Sequence, residues 1–176
     1  GHVVVATVLG LPLSGRARLT HRGGEMEVAP PALLTSDDVD TRLTALLAGR
    51  AAEAVIRGDV SHGAGLGPGS DLDRATDLVL RAETEWGLDR TLLHTPVPRD
   101  RRHDLPPGLR RRIEQRLAAA DRRAREIVDR HRPHISRIAH ALLEERDLDP
   151  ARLADLTATL RALGGAEPLR LATTLH

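Results

Sequence analysis

The chain has 176 residues, 40% of them hydrophobic, with no Phe, no Tyr and one Trp, which is enough for one compact domain built on Leu, Ala, Val and Ile. Small apolar side chains let helices pack closely, which favours a helical bundle over a β-sandwich. The formal charge of +1 lacks the excess of a dedicated nucleic-acid binder, and the absence of cysteine excludes disulfides and thiolate metal sites, so any metal must be held by His and carboxylates.

Val3 to Leu9 is continuously apolar and rich in β-branched residues; by itself it reads as a buried strand as readily as a buried helix. From Arg16 to Val28, alternating segments (Ala17, Leu19 and His21, then Met26 and Val28) flank Gly23-Gly24, the pattern of a β-hairpin that Pro30-Pro31 ends. Thr35 with Asp38 is a capping box. It opens a helix with Val39, Leu43, Leu46, Leu47, Ala51, Ala54 and Val55 on one face, stopping before Gly58.

A glycine-rich loop from Gly63 to Gly69 comes next. Ser70 with Asp73 reads as a second capping box, so Asp71 falls in the first turn of a helix marked by Leu72, Ala75, Val79, Ala82 and Trp86 and ended by Gly87. The proline-bearing stretch 93–107, with its charged run Arg99 to His103, is a linker between an N-terminal half, 1–92, and a helical tail, 108–176. In the tail, Pro106-Pro107 open a helix carrying Leu109, Ile113, Leu117, Ala120, Ala124, Ile127 and Val128. Pro133 interrupts it, and Ile135, Ile138, Leu142 and Leu143 continue as a second helix. Asp149 as N-cap with Pro150 starts a third, with Leu153, Leu156, Leu160 and Leu163 before Gly164-Gly165. The predicted class is mainly α, with one small β-hairpin and a C-terminal helical bundle. No apolar run approaches the roughly 20 residues of a membrane-spanning helix, and no charged-then-apolar secretion signal opens the chain.

Several groups invite chemistry. The glycine loop fails as a phosphate cradle: no Lys lies beyond it, and Asp71 and Asp73 would repel an anion at the helix N-terminus. It reads better as slack that lets Asp71 be aimed. His131 and His134 straddle Pro133, and His94 and His103 lie in the linker; all four read as exposed or capping side chains. All 26 basic residues are Arg. Those at 110–112, 116, 122, 123 and 125 line one helix, where Glu114, Asp121, Glu126 and Asp129 stand at pairing distances; without aromatics to stack on bases, a solvated ionic face is the better account than a nucleic-acid surface. Glu53 sits mid-helix among alanines. It suits either a metal ligand or a structural partner of Arg50 or Arg57, and the structural role is favoured.

The segments Leu47-Ala48-Gly49-Arg50-Ala51-Ala52-Glu53, Gly58-Asp59-Val60-Ser61, Gly63-Ala64, Ser70-Asp71-Leu72, Ala75-Thr76 and Trp86-Gly87 together resemble the peptidase domain of FtsH-type ATP-dependent zinc metalloproteases. The tail is similar too, at Arg123-Ala124-Arg125-Glu126-Ile127-Val128 and Ile138-Ala139-His140-Ala141-Leu142-Leu143-Glu144. The resemblance is strong over 42–87 and looser elsewhere. In that family a helix carries H-E-x-G-H, whose two His hold Zn²⁺ while the Glu activates water, and an Asp opening a later helix is the third ligand. Gly1-His2 matches the last two residues of that motif.

The resemblance therefore implies that His2 and Asp71 are metal ligands and that Val3 to Leu9 continues a buried helix. It makes 1–92 the metal-site half of a peptidase domain. The first His and the catalytic Glu would precede Gly1, so this chain is expected to lack its general base and to be inactive by itself. The implied parent is a zinc endopeptidase degrading unfolded or membrane proteins, a homo-hexamer at the cytoplasmic face of a bacterial membrane, with its ATPase and membrane anchor upstream. No nucleic-acid partner is expected. The alternative reading is a catalytically silent peptidase-like domain used for assembly or substrate binding. An exposed strand edge near the metal would align substrate by β-addition, and the Arg16–Val28 hairpin is the candidate for it.

Overall fold

A computed structural model describes residues 1–13, 15–20, 23–25, 33–88 and 91–163. The architecture is mainly helical, as the composition predicts. The apolar opening run forms α1 (His2–Val8), in which Val3, Val4, Val5, Ala6 and Thr7 are all buried. β-Branched residues carry strand propensity, but α1 lies against several helices at once, and burial on every side outweighs a local preference of tenths of a kcal/mol per residue. The Thr7 hydroxyl, which would otherwise be stranded there, donates 2.7 Å to the Val3 carbonyl.

Strands β1 (Ala17–Thr20) and β2 (Gly23–Glu25) pair antiparallel, so the expected hairpin is present. Gly23-Gly24, expected to separate the two segments, is itself strand. Thr20 pairs with Gly23 and Leu19 with Gly24. Met26, Val28 and Pro30-Pro31 lie outside the described residues. A third strand joins from far along the chain and completes the order β2-β1-β3: β3 (Asp147–Leu148) sets Leu148 opposite Ala17. Two residues are too few for alternation to register in a sequence. Arg16 and Arg18 both donate to Asp147, at 3.0 and 3.3 Å, and tie the join at its surface.

The Thr35 capping box closes reciprocally: the Thr35 hydroxyl accepts the Asp38 N–H at 3.2 Å and the Asp38 carboxylate accepts the Thr35 N–H at 2.8 Å. It opens α2 (Ser36–Leu46), which steps at Leu47 into α3 (Ala48–Ala52) and then a π-helical turn, Glu53–Arg57. Gly58 ends this segmented helix at φ +77°, a left-handed cap where a side chain would be strained. After a short 3-10 turn, His62–Gly65, comes α4 (Asp71–Thr84), with Gly87 at φ +62° just beyond it. The proline-bearing segment contains a second 3-10 turn, Arg99–Asp104. The tail is α5 (Pro107–Arg130), α6 (Arg132–Glu145) and α7 (Pro150–Leu163), with Pro133 in the first turn of α6. Asp149 accepts the Arg152 N–H at 2.8 Å, the predicted N-cap of α7. The side chain of Leu163 and the Gly164-Gly165 stop lie outside the described residues.

Two apolar clusters make the core. Val3, Val4 and Val5 of α1 meet Ala48 and Ala51 of α3, Ala124, Ile127 and Val128 of α5, Ile135 and Ile138 of α6, and Leu153, Leu156 and Leu160 of α7. The second joins Val39, Leu43 and Leu47 to Ala75, Val79 and Leu80 of α4 and to Ile113 and Ala120 of α5. Helix α5 thus feeds the second cluster from Ile113 to Ala120 and the first from Ala124 onward. Its arginine face pairs mainly across the tertiary structure rather than along the helix. Arg112 donates 2.8 Å to Glu83, and Arg116 donates 2.7 Å to Asp40 and 3.5 Å to Glu83. Glu83 is only 3% exposed. Asp121, 2.7 Å from Arg125, is a helical-spacing partner of the kind the sequence suggests, and it also takes Arg50 of α3 at 3.1 Å. The acids of α2 and α4, and Arg50 of α3, reach α5 because those helices lie directly on it.

Candidate metal centre

His2 opens α1 and Asp71 opens α4, and the packing of those helices sets His2 Nε2 3.2 Å from Asp71 Oδ2. The side chains are 24% and 32% exposed, so the pair faces solvent from a partly enclosed position. The other ring nitrogen is committed: Nδ1 lies 2.9 Å from the Ala45 carbonyl at the end of α2. A carbonyl oxygen can only accept, so Nδ1 carries the hydrogen. In the neutral ring Nε2 is then a bare lone pair aimed at a carboxylate oxygen, which is also a lone pair. Two such atoms at 3.2 Å repel unless a cation, a proton or a metal, lies between them. In a tetrahedral zinc site with bonds of about 2.0–2.2 Å, neighbouring ligand atoms stand roughly 3.3–3.6 Å apart, close to the 3.2 Å of this pair. An imidazole nitrogen and a carboxylate oxygen at this separation therefore fit such an ion.

Glycines make the approach possible. A Cβ on Gly49 would lie 2.5 Å from His2 Nε2, and one on Gly1 would lie 2.2 Å from the Ala48 carbonyl oxygen. Neither gap admits a carbon atom. Gly49 opens the Gly49-Arg50-Ala51-Ala52-Glu53 motif, and its place there is explained by the imidazole above it.

Around Asp71 the capping duties fall on its neighbours. Ser70 accepts the Asp73 N–H at 3.3 Å. The reciprocal half of the predicted box is shifted by one residue: Asp73 accepts the N–H of Gly69, not of Ser70, at 2.8 Å. Arg99 and Arg102 also donate to Asp73, at 2.7 and 2.9 Å. The Gly69 N–H first, then the Arg99 hydrogen bond and that of Arg102, hold the Asp73 carboxyl down at about 2, well below the carboxylate range. Asp71 is left to face His2.

Glu53 has a different partner from either predicted arginine. Its two oxygens accept the backbone N–H and the hydroxyl of Ser61, at 2.7 and 2.9 Å, while Arg50 goes to Asp121. The Ser61 N–H is the chief cause of its lowered pKa, with burial opposing and the Ser61 hydroxyl and Arg57 assisting. Glu53 thus closes the loop after the π turn, a structural role as the sequence favoured. Among the described residues, no third His, Cys, Asp or Glu completes a metal cluster with His2 and Asp71. The other singled-out histidines stand elsewhere. His131 and His134 make an edge-on contact with ring centres 5.8 Å apart, His94 bonds the Glu85 carbonyl at 3.0 Å, and His103 pairs with Asp104 at 3.2 Å.

Sequence reasoning missed the Ala45 carbonyl, the space left by Gly49, the Ser61 clamp and the arginines on Asp73. Of these only the last left a trace, two acids four residues apart, Asp73 and Asp77, preceding an arginine-rich segment.

Residues 22–156 match the family model of Peptidase family M41, a stretch that begins after α1 and includes Glu53 and Asp71. Curated relatives agree. An ATP-dependent zinc metalloprotease FtsH 1 of Symbiobacterium thermophilum is 37% identical over 139 residues, covering 77% of this chain and 22% of that protein. An ATP-dependent zinc metalloprotease FtsH of Methylibium petroleiphilum is 36% identical over 147 residues, 73% of this chain and 23% of its own length. One from Thermotoga maritima is 27% identical over 173 residues, 85% of this chain and 28% of its own. The chain thus spans about a quarter of the length of the relatives it matches.

Proposed function

Because the chain belongs to peptidase family M41, we propose that it is the peptidase module of an ATP-dependent zinc endopeptidase acting on unfolded polypeptides, with His2 and Asp71 as two protein ligands of the metal. The observation that carries the site assignment is the facing pair itself. His2 Nε2 and Asp71 Oδ2 stand 3.2 Å apart while Nδ1 is held by the Ala45 carbonyl at 2.9 Å.

Each residue has a part in holding such an ion. The Ala45 carbonyl fixes the His2 tautomer, so Nε2 keeps its lone pair for a metal and the ring cannot turn away. Asp71 brings negative charge, which offsets part of the charge of a divalent cation. Ser70 and Asp73 satisfy the first turn of α4, so Asp71 need not cap its own helix. Bound there, zinc would act as a Lewis acid, polarising the scissile carbonyl and acidifying water. In this reading the remaining His and the general-base Glu belong to the turn of helix immediately before His2. Residues 1–92 form the metal-site half, and 108–176 are a helical subdomain bracing it. The edge of the small sheet at β2 is where we place the extended substrate, which would add as a further strand. Hexamer assembly, ATP hydrolysis and attachment at the cytoplasmic face of a bacterial membrane are assigned to the parent protein. Among the described residues no helix is long and apolar enough to cross a membrane.

Metal content of the full-length protein tests the assignment. About one zinc per chain is expected after desalting, and Asp71→Ala should lose most of it. Full zinc retained by a folded Asp71→Ala protein would remove Asp71 from the ligand set.

A further inference from the structure

The first turn of α4 carries the proposed ligand, yet it has no apolar anchor. Asp71 is half-buried, Leu72 is 39% exposed and Arg74 is exposed; the first buried residue of the helix is Ala75. The core therefore grips α4 only from its second turn onward. What holds the first turn is ionic. Arg102 donates Nη1 to Asp73 at 2.9 Å and Nη2 to Asp77, bridging two successive turns of α4, and Arg99 takes the second oxygen of Asp73 at 2.7 Å. Asp73 passes that hold on to the loop, since its Oδ2 also accepts the Gly69 N–H at 2.8 Å. Arg102 itself is only 17% exposed.

At 3.6 residues per turn, side chains two positions apart point about 200° apart around a helix. Asp73 therefore leaves the helix on the side opposite Asp71. A guanidinium fixed behind the helix at Asp73 and Asp77 opposes rotation of the first turn, and rotation is what would swing Asp71 away from His2.

We propose that Arg102, assisted by Arg99, is a positioning residue that holds the first turn of α4 so that the Asp71 carboxylate meets His2. This rests on the reading of Asp71 as a metal ligand. Metal ligands owe much of their affinity to the groups that orient them, and losing such a group typically costs about 10- to 100-fold in metal binding. Arg102 belongs to this class although it is contributed by the segment between the two halves of the chain.

The test compares four variants of the full-length protein, by zinc affinity in chelator competition and by the visible spectrum of the cobalt-substituted protein. Arg102→Ala should raise the zinc Kd by about tenfold or more and alter the cobalt bands. Arg112→Ala removes an equally direct bond to α4, the 2.8 Å contact with Glu83 further along the helix, and should leave both readouts unchanged. Arg102→Lys keeps the charge but loses the planar fork that sets one nitrogen on each carboxylate, so it should behave like Arg102→Ala, and it decides the matter if the alanine protein does not accumulate. Unchanged zinc Kd and cobalt bands in the Arg102 variants, with binding lost in Asp71→Ala, would overturn the clamp and leave the ligand assignment standing. Equal weakening by Arg102→Ala and Arg112→Ala would also overturn it, as a general loss of stability. Full zinc in Asp71→Ala would bring down the ligand assignment and the clamp together.

Discussion

At the level of single residues, the candidate centre depends as much on what is missing as on what is present. Gly49 has no side chain, and the 2.5 Å between its would-be Cβ and His2 Nε2 is space that the imidazole already uses. Gly49→Ala should push the ring off its Ala45 hydrogen bond. In the full-length protein we expect zinc affinity to fall about 10- to 100-fold, the scale associated with disturbing a ligand's supporting contact. Alanine is the better helix former by roughly 1 kcal/mol, so the melting temperature of the metal-free protein should not fall in proportion. Wild-type zinc affinity in Gly49→Ala would show that the ring can move without cost. The sequence displays Gly49, His2 and Asp71 openly but not the contact between them, because that contact joins three separate helices.

Among the elements, the π turn after α3 bears most on the site's surroundings. A π turn inserts one residue into a helix and re-aims the chain beyond it. Here it is closed by Glu53, whose carboxylate grips the Ser61 N–H and hydroxyl as the chain leaves for the glycine loop. The Ser61 N–H above all holds the Glu53 pKa below its ordinary value of 4.5. A depressed carboxylate stabilises the fold above its unfolded pKa and loses that contribution as pH falls through the folded value. Wild-type stability should therefore decline as pH drops below 4.5, and Glu53→Gln should flatten that part of the curve in urea melts at stepped pH. Identical slopes for the two proteins below that pH would mean the Ser61 clamp contributes nothing. Helix starts were the most legible elements, since Thr35-Asp38 and Asp149-Pro150 declare themselves through local hydrogen bonds. The hairpin was legible as a hairpin but not in register. Gly-Gly is compatible with a bend, yet the pairing of Ala17 with Leu148 lies across the whole chain and helps decide where β1 sits.

Over the molecule as a whole, α5 links the two apolar clusters, and this predicts how it unfolds. Trp86, the single Trp, packs against the second cluster, whereas Leu160 is fully buried in the first. Leu160→Ala should cost about 2–5 kcal/mol, and through α5 the loss should appear at Trp86. In urea, Trp fluorescence and far-UV circular dichroism are expected to shift together to a lower midpoint. A fluorescence transition left at the wild-type midpoint would show that the clusters unfold independently. Buried Glu83 strengthens the link, because it meets Arg112 and Arg116 of α5 from α4. Removing one partner of a buried ion pair typically costs about 3–5 kcal/mol.

The amino-acid sequence by itself determined whatever depends on neighbours a few residues apart: the helix caps, the apolar faces, the left-handed stop at Gly58, and a helical class that stems from a core without Phe or Tyr. Its motifs also carried the family, because spacing along 42–87 is a local property. Periodicity alone left helix or strand open at Val3 to Leu9, and only the resemblance implied the helix and set His2 beside Asp71; the partner of Glu53 and the contacts that hold His2 waited for the tertiary structure. Burial, hydrogen-bond partners and facing lone pairs are relations between segments distant in the chain, and only packing brings them together.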